Sequence, residues 1–322
     1  MKFCIVACLA LFQLTTALGF VIPWREEARF QRLLRERRFD DIEARIIAMD
    51  RELKDPFLRE YLDDAIQGMI NDPDDATRAI NQWCSMRPAS FVAFTAKGYL
   101  CTAIAWRHRG CEYARDVPEE NMRRFHQYLL YAETALTNAY ALNPDFPLAA
   151  TEMITVSMGR CRPRSEMEQW FNRAIQTKKA GPRTYGCKEL YLQPKWLGSV
   201  EEVLSFCYEI DRPETPPLIT AITYGDTWHD MPQREVALLG NHEYLMRTAL
   251  AYDRSSLRYF WRRRQHLFCA FFAERAHNYP LAVKHLNWIS WRDGDDELPL
   301  WENKAAFLAD RANAFRQTPR AI

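Results

Sequence analysis

Residues 128–147, YLLYAETALTNAYALNPDFP, constrain what this chain can fold into more than any other stretch. Ala132, Ala135, Leu136, Ala139 and Leu142 recur at three- and four-residue spacing, which lines up one face of an α-helix. Tyr128, Leu129 and Tyr131 widen that face. The alanines let a neighbouring helix approach closely. Asn143 and Pro144 then stop the helix, because proline cannot continue it. Asp145 is placed to cap a second helix that carries Pro147 in its first turn. So short a connection makes the two helices antiparallel neighbours, an αα-hairpin.

The same alternation runs along the chain. Helices are expected over residues 24–39, 41–53, 57–69, 74–86, 90–109, 118–142, 146–158 and 166–178, then over 236–251, 255–277, 281–291 and 301–315. Short polar or proline-containing breaks separate them. No stretch alternates apolar and polar with a period of two for long enough to make a sheet. A tetratricopeptide-like phrase at 132–147 has a fainter echo at 273–286, AERAHNYPLAVKHL, but no strict 34-residue period covers the chain. The expected fold class is all-α, a tetratricopeptide-like αα-superhelix with divergent repeats. Only 11 glycines among 322 residues fit a helical fold better than one rich in tight turns, and ten tryptophans supply large side chains to fill gaps between helices.

Charge and termini narrow the function class. With 43 basic and 42 acidic residues the net charge is +1, without the basic excess expected of a nucleic-acid binder. Lys2 precedes an apolar run at 3–14, and Ala17-Leu18-Gly19 offers small residues for cleavage before Phe20. Residues 1–19 are therefore expected to be a signal peptide, the run being short for a membrane-spanning helix of about 20 residues. The mature protein is expected in the periplasm or outside the cell, with no integral span after cleavage. Two regions follow: 20–215 as a helical-repeat domain, and 216–322 as a helical continuation beyond the PETPP break at 213–217.

An exported chain can hold disulfides. Seven cysteines lie beyond the signal, an odd number. Cys84, Cys101, Cys207 and Cys269 fall within apolar helical patterns and are expected to pack as small buried hydrophobes. Cys161 and Cys187, near helix ends, are the most plausible bridge. No spacing matches a zinc site, so neither metal nor cofactor is expected.

Several phrases together resemble a known family. They are RLLRERRFDDIEARI at 32–46, AKGYLCTAIAWRHRGCEYA at 96–114, ALTNAYALNPDFPLAA at 135–150 and LYLQPKWLGSVEEVLSFC at 190–207. The order is similar to the bacterial DUF4034 family, a domain of unknown function with a tetratricopeptide-like appearance, over roughly 32–221. Its most specific phrase is Pro194-Lys195-Trp196-x-Gly198-Ser199; where the family has Gly-Gly-Ser, this chain has Leu197-Gly198-Ser199. The resemblance implies a fold and supplies no activity.

Three constellations carry candidate chemistry. Asn241-His242-Glu243-Tyr244 invites comparison with a zinc-protease helix, but Met246 stands where a second histidine must be, so no catalytic residue is assigned. Arg258, Trp261 and Arg262 belong to a basic, aromatic patch that reads either as a solvated helix face or as a partner contact. Lys195 and Trp196 sit in a joint where Pro194 fixes the backbone and Ser199 with Glu202 forms a capping box; they read either as a structural plug or as a ligand contact. The expected function is an exported interaction module that binds a protein or peptide of the cell envelope. The alternatives are a hydrolase with a pocket near His229, His242 and Glu243, and an immunity or accessory protein.

Overall fold

The computed structural model describes residues 23–56, 58–70, 72–110, 114–212, 215, 219, 242–254, 262–289 and 304–318. The expected signal peptide, Cys111 and His229 lie outside them. Among the described residues there are fourteen α-helices and no strand. They are α1 (Pro23–Arg35), α2 (Phe39–Glu52), α3 (Glu60–Met69), α4 (Pro73–Met86), α5 (Phe91–Arg109), α6 (Glu119–Leu142), α7 (Pro147–Gly159), α8 (Arg164–Gln176), α9 (Pro182–Leu192), α10 (Val200–Ile210), α11 (His242–Arg254), α12 (Arg262–Arg275), α13 (Tyr279–Leu286) and α14 (Lys304–Gln317). The chain forms two compact units, 1–184 and 185–322.

In the first unit each helix from α4 to α7 packs on the next, and alternate helices also meet, α3 on α5 and α5 on α7. That pattern is the signature of an αα-superhelix, in which every second helix lies in the same layer. The close approach of α5 to α6 rests on Gly98, where an added Cβ would lie 2.3 Å from Leu136 Cδ2. α7 is enclosed: from Pro147 to Gly159 only Thr155 is not buried. At the other end of the unit Phe39 stacks on Trp83, ring centroids 5.4 Å apart, and the Trp83 indole donates to Glu43 Oε1 at 2.7 Å. Phe30, Ile42, Ile46, Ile66 and Ile80 pack in that same core.

Local chemistry sets the boundaries. Asp72 caps α4 by accepting from the backbone N–H of Asp74 and Asp75, with Pro73 at the first position. Ser90 caps α5 through Ala93 N–H. The expected cap from Asp145 is not used. Phe146 stands in the cap position before α7 and gives no side-chain cap, and Asn143 Oδ1 instead accepts from Asp145 N–H to close the turn. The first helix ends at Arg35 rather than near 39, because Arg37 takes a left-handed φ of 58°. Phe39 is thereby freed to open α2. Tyr131 and Leu142, expected on the buried face of α6, are 45% and 43% exposed, whereas Leu129, Ala132, Ala135, Leu136 and Ala139 are buried as expected.

The second unit is described through α10 to α14. α12 is its most enclosed element, with residues 267–273 all buried, and it packs on both α11 and α13. α12 and α13 form the hairpin of the AERAHNYPLAVKHL phrase, where Asn278 caps α13 by accepting from Leu281 N–H.

Among the described residues, four helix-ending turns place a non-glycine residue in the left-handed region: Arg37, Cys161, Lys178 and His277. Three of them close with the paired backbone bonds of a Schellman turn, for example Arg162 N–H to Ser157 C=O at 2.9 Å and Cys161 N–H to Met158 C=O at 3.0 Å. A side chain in this region costs about 1–2 kcal/mol, part of which glycine returns as unfolded-chain entropy. Cys161→Gly is accordingly expected to stabilise the first unit by roughly 0.5–1 kcal/mol. Urea denaturation checks this, and an unchanged or lower midpoint would contradict it.

Candidate functional site

The densest chemistry in the first unit lies where alternate helices meet. Asp63 comes from α3, Tyr99 from α5, Glu152 from α7 and Arg183 from the first turn of α9. Asp63 and Glu152 are each only 2% exposed, and Tyr99 is equally buried. Arg183 Nη2 pairs with Glu152 Oε2, and Arg183 Nε lies 3.3 Å from Asp63 Oδ2. The Tyr99 hydroxyl donates to Asp63 Oδ1, and Gln67 Nε2 donates to Asp63 Oδ2 at 2.6 Å. The guanidinium lies 5.2 Å from the centre of the Tyr99 ring. Thr151 and Thr184 share a buried hydroxyl contact of 2.8 Å beside it.

Burial dominates the electrostatics. Desolvation pushes the Glu152 carboxyl above its ordinary range, and the charge of Arg183 opposes that push. Desolvation likewise raises Asp64 to about 7, with Asp63 and Glu27 adding like-charge repulsion. The Tyr99 phenol is driven well up, mainly by burial, and stays neutral as a donor. Arg183 thus offsets two carboxylates that water does not reach. It acts as a polar bolt joining helices far apart in sequence.

Removing the bolt leaves both acids without their cation. Arg183→Met should lower stability by about 3–5 kcal/mol, the usual cost of stranding a buried charge. Adding Glu152→Gln should recover part of it in urea unfolding, and a near-neutral single variant would refute the assignment. For Asp64 the folded value lies above the unfolded one of about 3.9, so the folded state holds the extra proton. That stabilisation is complete below pH ~4 and is lost as pH rises toward 7, at up to about 1.4 kcal/mol per pH unit. Asp64→Asn should flatten the stability–pH curve between pH 4 and 7. An identical curve for variant and wild type would exclude this role.

A second feature is open to solvent. A cavity of about 260 Å³ lies against α1, α3 and α4, lined by Gln31, Leu34, Arg35, Arg37, Met69, Asp72, Asp75, Ala76 and Ala79. Leu34, Met69, Ala76 and Ala79 are buried and form its floor. Arg35 and Arg37 stand on the α1 side, Asp72 and Asp75 at the start of α4, all exposed. Gln31 is fixed by donating to Gly68 C=O at 2.7 Å, and Arg37 by donating to Leu34 C=O at 2.9 Å and to Gln82 at 3.1 Å.

Lys195 is exposed and Trp196 half-buried, in the turn after α9. There a Cβ on Gly198 would lie 2.1 Å from Leu192 C=O, so only glycine fits, and Ser199 caps α10 by accepting from Glu202 N–H at 3.2 Å. Arg258 and Trp261 lie outside the described residues, as does the side chain of Arg262. Glu243 is exposed at the start of α11, and His229 and the His242 side chain are not among the described positions. Cys161 is an exposed free thiol in the turn that ends α7, and Cys187 is half-buried in α9. Cys84, Cys101, Cys207 and Cys269 are buried as expected. No group of three or more metal-binding side chains occurs among the described residues, and no helix there is long and apolar enough to cross a membrane.

Sequence reasoning missed Asp63, Glu152 and Arg183 altogether. Glu152 stands in an apolar helix, where a lone buried acid was the available signal. No curated protein and no solved structure matches the chain. Residues 26–205, which contain the acid–arginine bolt, the cavity and the Pro194–Ser199 turn, match the model described as a domain of unknown function, DUF4034, and by that match over more than half its length the chain belongs to the DUF4034 family.

Proposed function

We propose that this chain is an exported helical-repeat interaction module that holds a protein or peptide partner in the cavity between α1 and α4. One observation carries the reading: an apolar floor of Leu34, Met69, Ala76 and Ala79 between arginines on one wall and aspartates on the other. At about 260 Å³ the cavity is below the roughly 300–1,000 Å³ of pockets that enclose a small molecule. It suits one bulky apolar side chain, the kind of anchor that dominates a protein interface. Opposite charges on the two walls would set the direction of the bound segment. The preferred ligand is thus an extended or helical segment with an apolar anchor between an acidic and a basic residue. The site of action proposed is the periplasm or the cell exterior, after loss of residues 1–19.

A random peptide-display library panned on the full chain tests the reading. Enrichment of peptides with that charge–apolar–charge pattern is expected. Their affinity should fall about tenfold or more in the double variant Arg35→Glu/Asp75→Lys, which reverses the walls at exposed positions and leaves the floor intact. No enriched pattern, or binding that ignores the reversal, would overturn the proposal.

A further inference from the structure

Three helices of the second unit bring Asp253 (α11), His266 (α12) and His285 (α13) into one line. His285 Nε2 lies 2.8 Å from Asp253 Oδ1, and His285 Nδ1 lies 2.7 Å from His266 Nδ1. The His266 ring stacks on Trp288 just beyond α13, centroids 5.2 Å apart and planes within 8°. His285 is 2% exposed, whereas Trp288 is 63% exposed. One end of the line is therefore in the core and the other is at the surface.

Proton counting shows what this line can hold. A carboxylate only accepts, so His285 Nε2 carries a hydrogen. A contact of 2.7 Å between two Nδ1 atoms needs one hydrogen between them. With both rings neutral, His266 Nδ1–H donates to the lone pair of His285 Nδ1. With one proton added, His285 donates through both nitrogens, and His266 accepts at Nδ1 while carrying its hydrogen on Nε2. A second added proton puts N–H on both facing nitrogens, and the contact turns repulsive. The closed pair thus takes up at most one proton. The same two rings in an unfolded or opened segment take up two, near an ordinary value of about 6.5.

The surrounding charges act in both directions. From α11, Asp253 stabilises a charged His285; from α13, Lys284 shares Asp253 Oδ1 and opposes it. From α12, the Cys269 thiol is buried and donates to Ala249 C=O at 3.3 Å. Farther along α12, Glu274 and Arg275 form a separate network with Asn313 and Asp310 of α14. Burial holds His285 below the usual imidazole range despite Asp253.

We propose that Asp253, His285 and His266 form an acid-sensitive clasp, in which proton uptake below about pH 6 releases α13 and Trp288 from α11 and α12. The sign follows from the counting. The closed state binds fewer protons than the open one, so its stability is present above the unfolded histidine value and is lost as pH falls. Each proton of difference raises the open fraction tenfold per pH unit. The Asp64 carboxyl in the first unit responds in the opposite direction, so acid loosens one unit selectively.

Hydrogen exchange on the full chain, corrected for the intrinsic pH dependence of amide exchange, tests the clasp. Between pH 7.5 and 5.0, amides of α12 and α13 should gain at least tenfold in exchange, while those of α5 to α7 should show no gain, because Asp64 adds stability to the first unit as pH falls. His266→Phe keeps a ring against Trp288 and removes the second titrating group, so it should cut the selective gain by at least half, leaving only the part due to buried His285. Equal responses in the two units, or a full response in His266→Phe, would overturn the proposal. Should that variant fail to fold, histidine Cε1–H resonances of the wild type decide the matter. Two coupled steps separated by more than one pH unit are expected, and independent titrations at ordinary values would refute it.

Discussion

Two carboxylates that water cannot reach need a cation, and Arg183 is that cation. An isolated buried carboxylate costs several kcal/mol, so Asp63 and Glu152 are tolerable only together with the guanidinium between them. The consequence extends beyond the pair. Arg183 can satisfy both acids only when α3, α7 and the start of α9 are at fixed heights relative to one another. Apolar packing tolerates small sliding of one helix on the next, whereas a charged fork does not. The bolt therefore supplies register to helices whose alanine-rich faces would otherwise supply only proximity.

Close packing sets the complementary condition. Gly98 lets α5 lie directly on Leu136 of α6, and Gly159 leaves room for Leu129, whose Cδ1 would be 2.7 Å from an added Cβ. Arg59, 4% exposed, ties the region beyond α2 by donating to the backbone carbonyls of Asp50 and Leu53 and to the Asp50 carboxylate, which Lys179 also reaches at 2.8 Å. The end of the first unit is thus held against its beginning by ion pairs spanning over a hundred residues of sequence, while the hairpins between are local.

What the sequence disclosed follows from this division. The hairpin around Asn143 and Pro144, the cap at Ser199 and the glycine at 198 depend on neighbours within a few residues, and they were legible; the caps at Asp72 and Ser90 came only with the structure. α9 was not placed, because its inward side carries Thr184, Lys188 and Glu189 among apolar residues and so shows no apolar stripe. The early end of α1 was hidden for a related reason: its turn uses arginine where glycine would have announced it. Asp63, Glu152 and Arg183 are separated by 31 residues or more, and no local pattern links them. His266 and His285 are nearer, yet only the packing of α12 on α13 aims their Nδ1 atoms at each other. The cavity between α1 and α4 likewise depends on a third element, α3, to supply Met69.

The turn that ends α7 has a chemical consequence. Cys84 and Cys101 are buried, and burial pushes both thiols up to about 11, so they are poor nucleophiles at neutral pH. Cys161 stands in the same unit but in water. Among the described cysteines of that unit, an alkylating reagent meets one accessible sulfur, on a rigid corner between two helices. The chain carries its own address for a spectroscopic label, and in an oxidising compartment the same sulfur would be the first there to form a mixed disulfide.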